Sequence, residues 1–129
     1  MPTGIPVKVI DASALAAIIF AEPESESVAV NLAGAMLVAP NLLSYEMANI
    51  CLKKMRKHPD QRDFYAEEFA AFMRYDVELV DVEHGEVLQL AASSNLTSYD
   101  ASYLWLAQSL GAELITLDRR LAAAALTLR

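Results

Sequence analysis

Four acidic side chains stand at positions from which they could act on one substrate, namely Asp11, Glu46, Asp100 and Asp118. Each alone has a structural explanation, since Asp is a favoured helix N-cap and acids near a helix start complement the helix dipole. Together they would repel one another at a shared site unless a cation joined them. Hard divalent cations such as Mg²⁺ bind a few carboxylates beside substrate phosphates. The conjunction therefore predicts a site for a divalent metal ion.

Glu46 is the acid that a purely structural role explains least well. Its neighbours at helical spacing include Leu43, Met47 and Ile50, so its carboxylate interrupts an apolar stripe. No lysine or arginine stands one helical turn away to neutralise it. Because burial of an unpaired charge is very unfavourable, Glu46 needs a partner that its own helix does not provide.

Two small hydroxyl side chains accompany the acids. Ser13 lies two residues after Asp11, and Thr116 lies two residues before Asp118, on the same face of an extended strand. Either hydroxyl could orient a ligand or bind a phosphate oxygen, and ordinary hydrogen bonding within the backbone explains each of them equally well.

The pattern of apolar residues predicts the elements that must position these side chains. Short apolar strands are expected at residues 7–10, 36–39, 77–82 and 113–117, and residues 126–128 could add a frayed fifth strand. Helices are expected at residues 12–20, 23–33, 41–57 with Asn41 as its cap, 60–74, 83–94 and 98–111, and from 119 onward. This alternation predicts a three-layer α/β/α sandwich with a central parallel sheet of four to five strands.

A parallel sheet would bring the acids to one edge, because the carboxyl ends of its strands lie together there. Asp11 and Asp118 directly follow predicted strands, and Glu46 lies early in the helix after the second strand. Asp100 lies in the helix before the fourth strand, so its place at this edge follows less directly. The sequence therefore predicts that at least three of the acids converge.

Length and composition limit the class of protein. With 129 residues, of which 55% are hydrophobic and 21% charged, the chain fits one folded domain over residues 1–129, and disorder is excluded. Its single cysteine, Cys51, excludes an intrachain disulfide, and the longest apolar run, residues 14–21, is too short to span a bilayer. No signal peptide is evident, so we expect a cytoplasmic protein. The net charge of −7 argues against a general nucleic-acid binder, because phosphates attract lysine and arginine.

The segments around the acids resemble the PIN-domain ribonucleases, and most of all the VapC-type toxins of bacterial and archaeal toxin–antitoxin pairs. These segments are residues 9–15 (VIDASAL), 44–49 (SYEMAN), 98–103 (SYDASY) and 114–118 (LITLD). The resemblance implies a single PIN-like nuclease domain, an endoribonuclease that depends on Mg²⁺ or Mn²⁺. It implies that the residues that bind the metal and act in catalysis are Asp11, Glu46, Asp100 and Asp118. It also places Ser13 and Thr116 near the site, and Asn49 where the family often has a small or polar residue.

The resemblance also implies binding partners. VapC-type toxins usually form homodimers and are held inactive by a cognate antitoxin whose segment covers the cleft. We therefore expect RNA as substrate, an antitoxin protein and a second copy of the chain as partners, and no membrane. Basic residues are few, and Arg119 and Arg120, directly after Asp118, are predicted to contact RNA phosphates.

Other interpretations keep an acidic site but change its chemistry. A phospho-acceptor receiver domain also holds Mg²⁺ on a parallel sheet, but it needs adjacent acids after the first strand, where Asp11 stands alone. A phosphoaspartyl phosphatase needs a second Asp at the position of Ser13. A catalytically silent PIN scaffold is a further alternative, which the presence of all four acids disfavours. Labelling by a phosphoryl donor, compared with metal-dependent RNA cleavage, separates these classes.

Overall fold

Four parallel strands form the central sheet of the computed structural model, which describes residues 4–127. The strands are β1 (Val7–Ile10), β2 (Met36–Pro40), β3 (Val77–Val80) and β4 (Glu113–Ile115). Their order across the sheet is β3-β2-β1-β4, so β1 is central and β4 forms one edge. Val9 of β1 pairs with Val38 on β2 and with Leu114 on β4.

Helices cover the sheet in two groups. They are α1 (Ala12–Ile19), α2 (Ser25–Leu32), α3 (Leu42–Lys57), α4 (Arg62–Met73), α5 (His84–Ser94), α6 (Ser98–Leu110) and α7 (Arg119–Thr127). Helices α1 to α4 contact one another, as do α5 to α7, and α6 lies against β1, β2 and β4. This arrangement confirms the predicted three-layer α/β/α sandwich with a parallel sheet.

The core lies on both faces of β1. Val9 and Ile10 point to opposite faces of the strand and are both fully buried, as expected for a parallel strand covered by helices on each side. The same hydrophobic core includes Leu15 of α1, Met47 of α3 and Tyr103 of α6. These three helices are therefore anchored to the sheet near the residues that follow β1.

Several element boundaries in the structure differ from the predicted ones. Strand β3 ends at Val80 instead of residue 82, and the Glu83 carboxylate then caps α5 by accepting from the N–H groups of Gly85 and Glu86. The predicted helix at 60–74 is a short 3₁₀ turn (Pro59–Gln61) followed by α4. At the end of α5, Asn95 adopts the left-handed conformation with φ of 57°, as predicted.

Two predictions about helix ends and strands are wrong. Asn41 precedes α3 without capping it, because its Nδ2 instead donates a hydrogen bond to Oδ1 of Asp81. Residues 126 and 127 belong to α7 instead of a fifth strand, and Leu128 lies outside the described residues. Within residues 4–127, no helix has the length and hydropathy needed to cross a membrane.

Candidate active site

A cleft of about 260 Å³ opens at the carboxyl edge of the sheet, and all four predicted carboxylates line it. Asp11 and Asp118 follow the ends of β1 and β4, and Glu46 lies early in α3. Asp100 reaches this edge because α6 ends just before β4 begins. With 13 residues, or about 20 Å of helix, α6 spans the sheet and places its first turn at the opposite, carboxyl edge.

Asp11 is the most buried of the four acids, with 5% of its surface exposed. Its Oδ1 accepts from the N–H of Ala14 at 3.0 Å, which caps α1, and from the hydroxyl of Ser13 at 2.8 Å. Its Oδ2 accepts from the hydroxyl of Thr116. Because both oxygens have donors, the orientation of this carboxylate is fixed.

The two hydroxyls that donate to Asp11 are themselves held by backbone N–H groups. Leu117 N donates to Ser13 Oγ at 2.9 Å, and Asp118 N donates to Thr116 Oγ1 at 3.0 Å. Since a hydroxyl has one hydrogen, accepting from the backbone leaves that hydrogen for Asp11. The turn after β4 thus orients Asp11 through two parallel chains of hydrogen bonds, which we call the hydroxyl relay (Ser13 and Thr116).

Asp118 and Asp100 sit at helix starts beside the cleft. Asp118 Oδ1 accepts from the N–H groups of Arg120 at 2.9 Å and Leu121 at 3.1 Å, so it caps α7. Asp100 lies in the first turn of α6, where its N–H donates to the hydroxyl of the N-cap residue Thr97 at 3.1 Å. A role at the helix start and a place in the cleft are therefore compatible for both residues.

Tyr103 is the partner that Glu46 requires, and sequence reasoning missed it. The Tyr103 hydroxyl donates to Glu46 Oε1 at 2.6 Å. Burial, together with the adjacent Glu46, raises the pKa of this hydroxyl, which therefore stays protonated as a donor. A signal was available, because Tyr103 lies three residues after Asp100 and hence on the same face of α6.

Burial is the main reason why three of the carboxyl groups have raised pKa values. It raises the pKa of Asp11, against the opposing effect of the hydrogen bonds that Asp11 accepts. It also raises the pKa of Glu46, to which the charges of Asp100 and Asp11 add. The pKa of Asp100 is raised by burial and by the charge of Asp118, whereas Arg120 opposes the rise. The acids therefore disfavour one another's charged forms.

Comparison with known proteins agrees with this geometry. The sequence model of the PIN domain matches residues 8–126. The chain belongs to the PIN-domain family. It is 36% identical over 122 residues to Ribonuclease VapC3 of Pyrobaculum aerophilum, a match that covers 88% of this chain and 91% of that protein. The crystal structure of PAE2754 from Pyrobaculum aerophilum matches with a TM-score of 0.76 and 29% identity, over 96% of this chain and 93% of that one.

These similarities confirm the resemblance to VapC-type PIN domains that the four acidic segments carry. They also argue against the receiver and phosphatase interpretations, since a PIN-domain match extends over nearly the whole chain. The four acids of this PIN domain stand in one cleft as the resemblance implies.

The four carboxylates are the groups of this PIN domain that could hold a divalent cation. Neither of the two ion pairs among residues 4–127 involves them, so no lysine or arginine neutralises the cleft directly. Their oxygen chemistry and mutual repulsion fit a hard cation. In the described part of the chain, no group of three or more acidic, histidine or cysteine side chains is arranged so that it could hold a metal ion. The four carboxylates therefore line the cleft as separate oxygen donors.

The residues predicted to surround the acids fall into two sets. Asn49 lines the cleft together with Ser13, and Lys53 does so as well. Arg119 and Arg120 do not line it. The Arg120 guanidinium donates to the carbonyl oxygen of Asn95 at 2.6 Å, and its charge nevertheless acts on Asp100.

Proposed function

We propose that this PIN domain is an endoribonuclease that depends on Mg²⁺ or Mn²⁺ and acts as the toxin of a VapBC-type toxin–antitoxin pair. The observation that carries the proposal is the convergence of four carboxylates, none of them in an ion pair among residues 4–127, in a cleft whose most buried acid is oriented by the hydroxyl relay. The similarity to Ribonuclease VapC3 supports RNA as the substrate.

The residues of the cleft have different roles in phosphodiester hydrolysis. A bound divalent ion supplies Lewis-acid activation of water and neutralises negative charge on the scissile phosphate. Asp11 and Glu46 hold that ion, since the hydroxyl relay and Tyr103 fix their orientations. Asp100 and Asp118 complete the acidic set, and one of them accepts the proton of the attacking water.

In-line attack by water breaks the bond between phosphorus and the 3′ oxygen. The 3′ oxygen leaves and takes up a proton, which gives a 3′-hydroxyl on one product and a 5′-phosphate on the other. Lys53, which lines the cleft and is exposed, is placed to contact a phosphate of the bound strand. Because few basic residues stand at the site, a bound divalent ion would supply most of the positive charge that faces the RNA phosphates.

The partners belong to the same proposal. The antitoxin segment covers the acidic cleft, and the chain acts in the cytoplasm, where both RNA and antitoxin are found. Exposed apolar side chains on α2 and α4, namely Val30, Phe64 and Met73, provide a surface for a homodimer. Light scattering of the purified chain, with and without the antitoxin, measures both assemblies.

RNA cleavage by the purified chain tests the proposal. The chain is incubated with RNA and Mg²⁺, Mn²⁺ or a chelator, and the RNA ends are sequenced. Cleavage should need the metal, yield 5′-phosphate ends and fall by about 10³-fold in Asp11→Asn. Asp76→Asn, an exposed acid before β3, is the control that should keep full activity. Cleavage that persists in chelator, or at the wild-type rate in Asp11→Asn, would overturn the assignment, and absence of any cleavage would favour a silent scaffold.

A further inference from the structure

A second cavity lies at the same edge of the sheet as the acidic cleft. It has a volume of about 360 Å³, within the usual range for small-ligand pockets, and the ends of β2 and β3 and the starts of α3, α5 and α6 form it. We call it the β3-side cavity and define it by Asn41, Asp81, His84, Leu88 and Tyr99. None of the catalytic steps above uses these residues.

The β3-side cavity and the acidic cleft are lined from the same two helix starts. On α6, Tyr99 lines the cavity and the next residue, Asp100, lines the cleft. On α3, Leu42 lines the cavity, and Glu46, one turn later, lines the cleft. Asp81 follows β3 as Asp11 follows β1, two strands away, a separation of about 10 Å across the sheet. A strand whose phosphate lies in the cleft therefore brings a neighbouring nucleotide to the cavity.

The lining of the cavity suits a nucleobase and does not suit a phosphate. Of the described residues that line it, none is lysine or arginine. Its walls are mainly apolar, and two of them are exposed: Leu88 at 65% and the ring of Tyr99 at 59%. Exposed aromatic rings beside a backbone-binding site are the usual platforms on which single-stranded bases stack.

The polar end of the cavity presents hydrogen-bond acceptors. Asn41 Nδ2 donates to Asp81 Oδ1, which holds the Asp81 carboxylate in place. Asp81 Oδ2 has no partner among residues 4–127, and the residue is exposed. A carboxylate accepts hydrogen bonds only, so it favours bases that carry an exocyclic amino group over uracil, whose single N3–H donor lies between two carbonyl oxygens that repel the carboxylate.

We propose that the β3-side cavity binds a single-stranded nucleobase next to the scissile phosphate, and that Asp81 selects bases with an exocyclic amino group over uracil. This inference rests on the proposed function for the position of the cavity relative to the scissile bond. Tyr99 supplies stacking for any base, and Asp81 supplies the discrimination. Asn41 acts as a positioning residue, because it holds Asp81 without contacting the base.

Binding of short RNAs tests this proposal independently of cleavage. The probes are fluorescein-labelled heptamers of uridine whose central residue is uridine, cytidine, adenosine or purine riboside. The last differs from adenosine only by lack of the amino group. Affinities are measured by anisotropy with Mg²⁺ present, on Asp11→Asn protein, which removes cleavage. The cytidine and adenosine probes should bind about 10-fold more tightly than the uridine and purine riboside probes.

Two variants in the Asp11→Asn background locate the preference. Asp81→Ala should abolish the difference between adenosine and purine riboside, because no side-chain acceptor remains for the amino group. Asp76→Ala removes the same charge at the opposite end of β3 and should keep the difference, so it controls for the change in net charge. Equal affinity for all four probes, or a preference that survives Asp81→Ala, would overturn the proposal.

The outcomes separate this inference from the proposed function. Cleavage by the wild-type chain without an amino-base preference would refute the β3-side cavity and leave the nuclease intact. A preference that depends on Asp81, in a chain that cleaves no RNA, would refute the nuclease and keep the base site. If Asp81→Ala leaves RNA binding unchanged but weakens the antitoxin complex, the cavity binds protein and the proposal is wrong.

Discussion

The ends of β1 and β4 carry the same local pattern, a strand followed by Asp and then a helix, with different results. Asp11 is buried and accepts hydrogen bonds on both oxygens. Asp118 is exposed and uses one oxygen to cap α7. The difference arises from the sheet order, because β1 is central and β4 is at an edge. Position in the sheet therefore decides how strongly the protein controls each carboxylate.

Thr116 connects the ends of β1 and β4 through hydrogen bonds. Its hydroxyl accepts from the N–H of Asp118 and donates to Asp11, so the backbone of the exposed acid orients the buried one. Capping a helix and serving a cleft are thus not competing explanations for Asp in this fold. A buried cap is held firmly enough to direct its remaining acceptor capacity toward a ligand.

Substitution of the two acids should give the largest effect. Asp11→Asn should lower RNA cleavage by about 10³-fold, because a fixed buried ligand loses its charge. Asp118→Asn should lower it by about 10²-fold, because solvent partly compensates at an exposed site. Initial rates at saturating Mg²⁺ measure both. Asn is a good N-cap, so helices α1 and α7 should remain folded by circular dichroism. Equal losses would remove the distinction between the buried and exposed acids.

Loss of the Thr116 hydroxyl, which connects the ends of β1 and β4, should have a smaller effect on RNA cleavage. Thr116→Val removes one hydroxyl of the relay at nearly constant shape, and it should lower cleavage by about 10-fold to 100-fold, as second partners of metal ligands usually do. The apparent Mg²⁺ affinity, read from the metal dependence of the rate, should fall with it. Thr127→Val, at the exposed end of α7, is the matched control. If Thr116→Val behaves like that control, the hydroxyl relay does not position Asp11.

Most of the fold could be predicted from the sequence, because its information is local. The β-branched run before Asp11 and the apolar run before Pro40 mark strands that the structure contains. The order β3-β2-β1-β4 depends on packing between distant segments, which no local pattern records. Asn41 shows the limit of local information. Its residue type favours a helix cap, but its side chain instead donates a hydrogen bond to Asp81, 40 residues away.

The candidate site was likewise predicted from the sequence only in part. Four acids in order, each in its own segment, predict the acidic cleft, and the parallel sheet explains why they meet. The contact between Tyr103 and Glu46 joins residues 57 positions apart on different helices, so it needs the structure. From the sequence, Arg119 and Arg120 are favoured among the basic residues for contact with RNA phosphates, which stays a prediction, and the structure adds that Lys53 lines the cleft. Whether a long polar side chain reaches the cleft depends on which face of its helix lies toward the cleft, and the sequence alone does not define that face.

Removal of the buried acid Asp11 should change the melting temperature by a few degrees, in a way that depends on pH. Asp11, Glu46 and Asp100 have raised pKa values in the folded chain, so the folded state binds more protons than the unfolded state. Stability of the metal-free protein therefore falls as pH rises from the ordinary carboxyl pKa toward the raised values. Asp11→Asn lacks one such group, and at pH 7 in chelator its Tm should exceed that of the wild type by about 3 °C.

The sign of that difference provides its own check. As the pH falls below the raised pKa values, Asp11, Glu46 and Asp100 become protonated in the wild type, so the two Tm values should converge. Saturating Mg²⁺ should reverse the order, because the ion stabilises the protein that binds it better. A variant that is less stable than the wild type at pH 7 in chelator would show that the hydrogen bonds of Asp11 outweigh the repulsion among the acids.

Substitution of the two arginines after Asp118, at the exposed end of β4, should give the smallest effect, a change in the salt dependence of RNA binding. The charge of Arg120 opposes the rise in the pKa of Asp100, and its guanidinium is held by the Asn95 carbonyl, so it would stand near a phosphate bound in the cleft. Arg120→Gln should reduce the slope of log Kd for single-stranded RNA against log salt by about 0.7, the value for one phosphate contact. Arg119→Gln and Arg56→Gln, which remove exposed charges without an observed effect on the acids, should change it little. A slope that responds equally to all three variants would mean that RNA senses net charge alone, and that the end of β4 contributes an acid to the cleft but no phosphate contact.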